Sequence, residues 1–281
     1  MKSNQININS FTELQKKFLH EAINGEHELT QITSDISYLK FGLEFTYQNL
    51  YIHSLHKLGT LWLNGALSIA HEHRASQIII SCMDNTMSKI PKPKSNHLIA
   101  ITTTLENDLH WLPSRIAKDL LFYSGYMVDF LGPETPVVDL LQIIEERNPH
   151  LLVIPFTVKS DKNYSKFIDF MNSDRKYPFL LAGGIHGKEM TRSISSKKLL
   201  FAEDLINGCQ KITEMINNSL PEIDYDKQFL NKIGNNIKNY RQKSGLSQSA
   251  LSKETGIDRS YLSSVEKVNQ NITLLLLERI A

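Results

Sequence analysis

The chain has 281 residues, with 31 Lys or Arg residues against 30 Asp or Glu residues. This length predicts about two or three domains, and the near balance of charge excludes a polybasic surface over the whole protein, though not a local one. Cys82 and Cys209 lie far apart without metal-binding spacing, so we expect two reduced packing residues in a cytoplasmic protein. The sequence has neither the apolar core of a signal peptide nor an uninterrupted apolar stretch that approaches about 18 residues. We therefore expect no association with a membrane.

Residues 1–92 have the pattern of a helical bundle. Between Ser10 and Ser88 the chain contains no proline, and apolar residues recur at the three- and four-residue spacing of one helix face. Two close prolines, Pro91 and Pro93, end this segment because proline cannot continue a helix.

Residues 93–220 alternate between short apolar strands and amphipathic helices. The predicted strands are 98–102, 127–131, 151–154 and 179–182, and the predicted helices between them are 114–124, 137–147 and 164–172. This alternation predicts a doubly wound parallel sheet. Since ligands bind beyond the carboxyl ends of such strands, we expect the four loops that follow them to form one binding rim.

The loop after the first strand contains Asp108 and His110. An imidazole that binds a metal through one nitrogen commonly donates its other N–H to a carboxylate, and an aspartate two residues away in a loop can reach it. We therefore predict His110 as a metal ligand and Asp108 as its supporting carboxylate. A solvated loop histidine is the alternative that this spacing alone leaves open.

Residues 227–281 carry a local positive charge. From Asp226 onward there are nine Lys or Arg residues against five Asp or Glu residues, an excess that favours nucleic-acid contact. The pattern predicts helices over 229–243, 248–255 and 259–268, the last two capped by Ser247 and Asp258. Two short helices joined by a tight glycine turn are a helix-turn-helix. The chain is thus predicted to be a multidomain α and α/β protein.

This C-terminal segment resembles the Xre or lambda-repressor-like family. The resemblance is carried by Ile237, Arg241, Gly245-Leu246-Ser247-Gln248, Leu251-Ser252, Gly256-Ile257 and Tyr261 to Glu266. It implies an internal ion pair between Arg241 and Glu266 and binding to a double-stranded DNA operator. By the same resemblance, base edges would be read by Arg259, Ser260 and Ser264, and phosphates would be bound by Gln248, Tyr261 and Lys267.

The first two segments resemble cobalamin-binding regulators. Leu58 to Gly65 and Ile69 to Ser76, with nine residues between Trp62 and the pair Glu72-His73, are similar to the helical cap of CarH-type photoreceptor repressors. Asp108 to Pro113 resembles the cobalamin-binding signature of their Rossmann-like domain. Two further segments, Gly132 to Pro136 and Leu181 to Gly184, resemble other loops of this family.

The resemblance implies that adenosylcobalamin or methylcobalamin binds under the helical cap. His110 would replace the corrinoid's own lower base on cobalt, while Trp62, Glu72 and His73 would lie at the upper face. The remaining predicted cofactor-binding residues are Gly132, Thr135, Thr157, Gly183 and Gly184, the last two permitting close backbone approach to the nucleotide tail.

Three residues depart from the family pattern. Pro113 stands where glycine is usual, and Pro155 replaces a small hydroxyl residue after the third strand. Leu63 replaces the histidine that captures cobalt after light breaks the upper bond in CarH-type proteins, so a light response would require His71 or His73 instead.

The leading interpretation is a cobalamin-sensing transcriptional regulator that acts as a homo-oligomer, and the sequence leaves open whether light is its signal. One alternative is the same architecture sensing haem, another tetrapyrrole or no ligand. Another is a corrinoid carrier of a methyltransferase, in which a DNA-binding domain has no role. The sequence contains no Ser-His-Asp, paired-carboxylate or zinc-spacing pattern, so we predict no catalytic residues and no enzyme.

Overall fold

The computed structural model describes residues 8–159, 164–220, 225–267 and 273–280. It divides into two compact units, Met1–Ile216 and Asn217–Ala281. The predicted boundary between residues 92 and 93 lies inside the first unit, where helices give way to the sheet. Within the described ranges, no helix is both long enough and apolar enough to cross a membrane.

The N-terminal half of the first unit is the helical bundle that the sequence predicts. It consists of α1 (Ile8–Asn24), α2 (His27–Phe41), α3 (Leu43–Thr46), a π-helical segment (Tyr47–Ile52), α4 (His53–Leu63) and α5 (Ile69–Ser88). Its core is built around Phe18, Tyr47, Tyr51, Leu58 and Ile79. Two side chains from the following helix of the sheet domain, Ile116 and Leu120, belong to the same core, so the bundle and the sheet pack as one body.

The rest of the first unit is a doubly wound parallel sheet, as predicted. Its elements are β1 (Ile99–Leu105), α6 (Leu112–Tyr123), β2 (Met127–Thr135), α7 (Val137–Arg147), β3 (Leu151–Pro155), α8 (Ser165–Asn172), β4 (Phe179–Gly183), α9 (Gly187–Met190), β5 (Leu199–Phe201) and α10 (Leu205–Ser219). The sequence pattern does not predict α9, β5 or α10. The five strands lie in the order β2-β1-β3-β4-β5, and all neighbouring pairs are parallel.

This strand order places a topological switch point between β1 and β3. The chain leaves β1 toward β2 on one side and later returns to β3 on the other, so the loops after β1 and β3 diverge from a shared crevice. Ligands of doubly wound sheets bind in this crevice. The loops that contain Asp108 and Thr157 are therefore the two that the fold brings together there.

Strand β2 is longer than expected. The sequence pattern predicts that β2 ends at residue 131, but Gly132 pairs with Thr103 and Thr135 pairs with Leu105, after shifts in register. Such irregular pairing re-aims side chains at the end of a strand. Gly132 and Thr135 are therefore part of the sheet edge rather than of a free loop.

Helix α6 is tied to the bundle by a buried carboxylate. Asp119 is fully buried and accepts a hydrogen bond from the Tyr47 hydroxyl at 2.8 Å. Arg115, one turn earlier, bridges Asp119 to Asp84 of α5. Burial, together with the Asp119 charge, raises the pKa of Tyr47, so this phenol stays a hydrogen-bond donor.

The second unit contains four described helices. These are α11 (Tyr225–Lys243), α12 (Gln248–Thr255), α13 (Arg259–Glu266) and α14 (Leu274–Ile280), of which α14 was not predicted. The predicted caps are present: Ser247 accepts the Ala250 N–H at 3.1 Å, and Asp258 accepts the Ser260 N–H at 2.7 Å. Val268, the predicted end of the third helix, lies outside the described residues.

Removing the Tyr47 hydroxyl tests the link between bundle and sheet. We expect Tyr47→Phe to lower the free energy of unfolding by about 1–3 kcal/mol, because the buried Asp119 carboxylate loses a donor. Urea unfolding followed by circular dichroism measures this. Tyr123→Phe, at a tyrosine with an exposed side chain, is the matched control and should change stability little. Equal effects of the two substitutions would contradict the role given to Tyr47.

Candidate functional site

Asp108 connects the loops that follow β1 and β3. Its side chain is buried, and Oδ2 accepts the Thr157 backbone N–H at 2.8 Å. Its Oδ1 accepts the Thr157 hydroxyl at 2.6 Å and the His110 backbone N–H at 3.0 Å. A buried carboxylate is costly unless it is well hydrogen-bonded, and these three donors meet that requirement. The carboxylate therefore fixes both loops at the switch point.

The His110 side chain lies at the mouth of this crevice. It is 68% exposed, and Nδ1 lies 3.3 Å from Asp108 Oδ1. Among the described residues, none hydrogen-bonds to Nε2. A neutral imidazole with its Nδ1–H toward a carboxylate presents the Nε2 lone pair outward, which is the state that binds metals. The arrangement can supply one imidazole nitrogen to a metal centre.

Thr157, one of the predicted cofactor-binding residues, is hydrogen-bonded to Asp108. Its hydroxyl and its N–H both donate to that carboxylate. Its evident task is to orient that carboxylate. A contact with a cofactor stays a prediction.

Two threonines at the end of β1, Thr103 and Thr104, contribute to the site but are not among the predicted site residues. The Thr104 hydroxyl donates to the Asp108 carbonyl and accepts the Glu134 N–H, while the Thr103 hydroxyl donates to the Gly132 carbonyl at 2.9 Å and lies 2.6 Å from the Thr135 hydroxyl. They connect the Asp108 loop to the end of β2. The available signal was the run of threonines at residues 102–104 in an otherwise apolar strand.

The three predicted glycines differ in what surrounds them. At Gly184, φ is +81° and an added Cβ would collide with the Phe156 backbone, so this glycine is required by the fold itself. An added Cβ at Gly183 would make an ordinary contact with the Ala202 carbonyl. Gly132, with φ of +82°, has open space around it, so only its backbone conformation requires glycine.

The residues predicted for the upper face lie at the ends of α4 and α5. Trp62 is 44% exposed in the last turn of α4. Glu72 accepts the Ser76 hydroxyl at 2.6 Å and lies 3.7 Å from Nε2 of the exposed His73. Nδ1 of His71 lies 2.6 Å from the Ser68 hydroxyl. Within the described part of the chain, no hydrogen bond or ion pair joins these residues to His110.

Exposed apolar side chains are found in both regions. Leu63 and Ile69 flank the Trp62 turn, and Leu109 and Ile185 lie in loops at the carboxyl ends of β1 and β4. Clusters of such side chains on soluble proteins mark binding surfaces. Both regions therefore offer apolar contacts to a large ligand.

The predicted slot for a nucleotide tail is shallow. At the carboxyl end of the sheet, beside Asp108, there is a depression of only about 10 Å³, close to the smallest cavity that holds one water molecule. It is lined by Leu105, Glu106, Asn107, Asp108, Pro155, Phe156, Val158, Tyr164 and Met190. Ligand pockets commonly hold about 300–1,000 Å³, so a long tail would require these side chains to move.

In the second unit, Glu266 holds the helices together. Its carboxylate accepts Arg241 Nε at 2.6 Å and Arg241 Nη2 at 2.9 Å, which is the ion pair that the sequence predicts. It also accepts the Gln248 side-chain amide at 2.8 Å. Burial opposes ionisation, but the hydrogen bonds from Arg241 and Gln248 outweigh it and lower the pKa of Glu266. The Gln248 amide thus faces the interior of the motif, and its predicted phosphate contact would use the remaining N–H.

The predicted DNA-reading side chains lie on α13 and at its end. Arg259, Ser260 and Lys267 are exposed, while Tyr261 and Ser264 are half-buried. The Ser260 hydroxyl donates to the capping Asp258 carboxylate, so toward a base it can act only as an acceptor. Arg259 makes no ion pair within the described residues and keeps all its donors.

A family model described as helix-turn-helix matches residues 237–281. Those residues form a helix-turn-helix domain. No curated protein sequence matches the chain at a significant level.

Three solved structures are similar to part of this chain. The monomethylamine corrinoid protein of Methanosarcina barkeri superposes with a TM-score of 0.55 at 14% identity, covering 73% of this chain and 99% of that one. A cobalamin-binding protein of Desulfitobacterium hafniense gives 0.36 at 16% identity, with 77% and 100% covered. The methanol:cobalamin methyltransferase complex of M. barkeri gives 0.38 at 13% identity, with 73% and 80% covered. At such identities the first likeness establishes the fold.

Substituting Glu266 tests the carboxylate of the helix-turn-helix. The pKa of the Glu266 carboxyl is lower in the folded protein than in the unfolded chain. The ionised carboxylate therefore stabilises the fold at pH values above the unfolded pKa, and this stabilisation is lost as the pH falls through the folded pKa. Glu266→Gln should therefore destabilise the second unit by about 1.5–3 kcal/mol at pH 7 and by much less in acid. Urea unfolding of the full chain at both pH values measures this, with Glu254→Gln on the exposed face of α12 as control. A difference that grows on acidification would refute the assignment.

Proposed function

We propose that this chain is a cobalamin-binding transcriptional regulator. The observation that carries the proposal is His110 at the switch point, with Nδ1 facing Asp108 and Nε2 exposed, in a chain that ends in a helix-turn-helix domain. The fold that the first unit shares with a corrinoid protein supports it.

The ligand chemistry favours a metal that arrives inside a macrocycle. The described residues contain no group of three His, Cys, Asp or Glu side chains able to hold a free metal ion. A lone imidazole such as His110 is instead suited to one axial position of a metal already held by a ring. Bound cobalamin would supply a cobalt centre with such a position, and the exposed Trp62, Leu63 and Leu109 side chains would contact its apolar faces.

The ligand would act on the bundle through α6. This helix begins at Leu112, two residues after His110, and its Arg115 and Asp119 bind Asp84 and Tyr47 of the bundle. A ligand that binds one packing of bundle and sheet more tightly than another shifts the protein toward that packing. A light response would require His71 or His73 to supply a second imidazole to the metal, since Leu63 has no atom that can bind one.

Haem remains the second candidate ligand, because it too needs one axial imidazole and apolar contacts. The shallow depression beside Asp108 is the observation that favours it, since haem has no nucleotide tail. A corrinoid carrier of a methyltransferase is less favoured, because a DNA-binding helix-turn-helix domain has no role in carrying a methyl group. We propose that the chain is not an enzyme.

Absorbance of the reconstituted protein tests the ligand. The full chain should bind adenosylcobalamin or methylcobalamin in the dark, with the spectrum of imidazole-ligated cobalt, and His110→Ala should lose that signature. Asp108→Asn should weaken binding about 10–100-fold, as loss of an orienting carboxylate does elsewhere. His56→Ala, on α4, is the control. Haem binding with no corrinoid binding would favour the second candidate, and an unchanged spectrum in His110→Ala would overturn both.

Illumination of the same samples, followed by absorbance, tests the light response.

Operator binding tests the DNA-reading surface. Arg259→Ala should cost about 1–3 kcal/mol on the preferred site and relax sequence preference, because an exposed arginine at a recognition helix reads guanine bidentately. Lys267→Ala should weaken binding to all sequences evenly and lower the salt slope by about one unit. Fluorescence anisotropy on selected and random duplexes measures both. Selectivity that survives in Arg259→Ala would refute this orientation of α13.

A further inference from the structure

A second concave region lies at the opposite edge of the sheet from Asp108. The loops that precede β4 and β5, residues 173–178 and 195–198, lie side by side because the two strands are parallel neighbours. Between these loops is a cleft of about 510 Å³. Ligand pockets commonly hold about 300–1,000 Å³. The cleft is therefore large enough for a small ligand, whereas the depression beside Asp108 is not.

Hydrogen bonds between the two loops fix the walls of the cleft. The Asn172 side chain donates to the Ser193 carbonyl at 3.0 Å and accepts the Ser195 N–H at 2.8 Å. From the β5 side, the Lys198 ammonium donates to the Arg175 carbonyl, so this oxygen does not face the cleft unpaired. A site whose walls are fixed before binding loses less conformational freedom when a ligand enters. The cleft is thus preformed.

The lining of the cleft is polar and mostly cationic. Every described side chain that lines it is polar, so it offers no contact to the apolar faces of a corrinoid. The described lining includes the cations Arg175, Lys197 and Lys198 and a single carboxylate, Asp174. An excess of one charge in a concave site concentrates ligands of the opposite charge. The cleft is therefore suited to a hydrophilic anion.

The cations of the lining remain able to bind such an anion. Lys197 is exposed and forms no ion pair with any described residue. Arg175 has one long contact of 3.4 Å, from Nη2 to Glu145, and its guanidinium is positioned over the Phe170 ring, 5.1 Å from the centroid. Burial lowers the pKa of Lys198, because an ammonium with few water contacts is less stable. An anion beside Lys198 would reduce that cost.

Two serine hydroxyls add donors beside these cations. Ser196 Oγ accepts the Lys198 N–H at 3.2 Å, which leaves its own O–H able to donate. The Ser195 hydroxyl has no hydrogen-bond partner among the residues that the structure describes. Arginine, lysine and serine donors are the groups that commonly bind phosphate oxygens. Asp174 can only accept when ionised, so it suits hydroxyl groups on the rest of the ligand.

We propose that this cleft binds a small phosphorylated sugar, with Arg175 and Lys197 on the phosphate and Asp174 on the sugar hydroxyls. The backbone of DNA is less favoured as the source of the phosphate, because a row of phosphates would be repelled by the Asp174 carboxylate. The cleft is at the other edge of the sheet from His110. The proposal therefore rests neither on cobalamin binding nor on operator binding.

Isothermal titration calorimetry of the full chain with ribose 5-phosphate and glucose 6-phosphate, at constant ionic strength, tests the site. The wild type should bind at least one of them. Arg175→Gln and Lys197→Gln should each raise the dissociation constant about tenfold, because each removes a charged donor. Lys211→Gln, at an exposed lysine of α10 outside the cleft, is the matched control and should bind as the wild type does.

Three results of this titration would overturn the proposal. The first is a wild type that binds neither sugar phosphate. The second is Lys197→Gln binding as tightly as the wild type, or no more weakly than Lys211→Gln. The third is a random DNA duplex that loses affinity in Arg175→Gln and Lys197→Gln while neither sugar phosphate binds, which would assign these cations to DNA.

Asp174→Ala tests the sugar contact, with inorganic phosphate as the second titrant. The substitution removes an acceptor for hydroxyls and also a charge that repels phosphate. The preference for sugar phosphate over inorganic phosphate should therefore fall about tenfold. An unchanged preference would overturn the assignment of a sugar. Because these titrations contain no cobalamin, their failure is distinct from failure of the corrinoid experiments.

Discussion

The first unit depends on the hydrogen bonds that satisfy one buried carboxylate. Strand order alone makes the loops after β1 and β3 neighbours, but it does not fix their distance or direction. Asp108 does so, because a buried charge must collect donors, and the donors within reach are the Thr157 N–H and hydroxyl and the His110 N–H. The same carboxylate lies 3.3 Å from Nδ1 of the exposed His110 ring. Fold stability and the geometry of the candidate ligand site thus have one cause.

A continuous set of contacts leads from this loop to α2. Helix α6 starts beside His110 and binds Tyr47 through Asp119. The ring of Tyr47 packs edge-on against that of Tyr51, 5.1 Å away, and Tyr51 hydrogen-bonds to Ser34 of α2. Both tyrosines lie in the π-helical segment, a distortion often found at functional positions. A ligand that moves α6 would therefore act on the packing of α2 within the bundle.

The second unit uses a carboxylate in a similar way. Glu266 at the end of α13 collects Arg241 from α11 and Gln248 from α12, which fixes the angle at which α13 leaves the motif. Gln248 serves this internal purpose, whereas Arg259 and Lys267 are exposed to solvent.

The amino-acid sequence was enough to predict the helical bundle, the parallel sheet, the helix-turn-helix, its caps and the Arg241–Glu266 pair. These follow from local periodicity, caps and a specific motif, which depend on nearby residues. The folded structure was needed to show that β2 continues through Thr135, that Thr157 holds Asp108, and that α2 turns its leucines outward. These depend on pairing and hydrogen bonds between residues far apart in the chain, which no local pattern encodes.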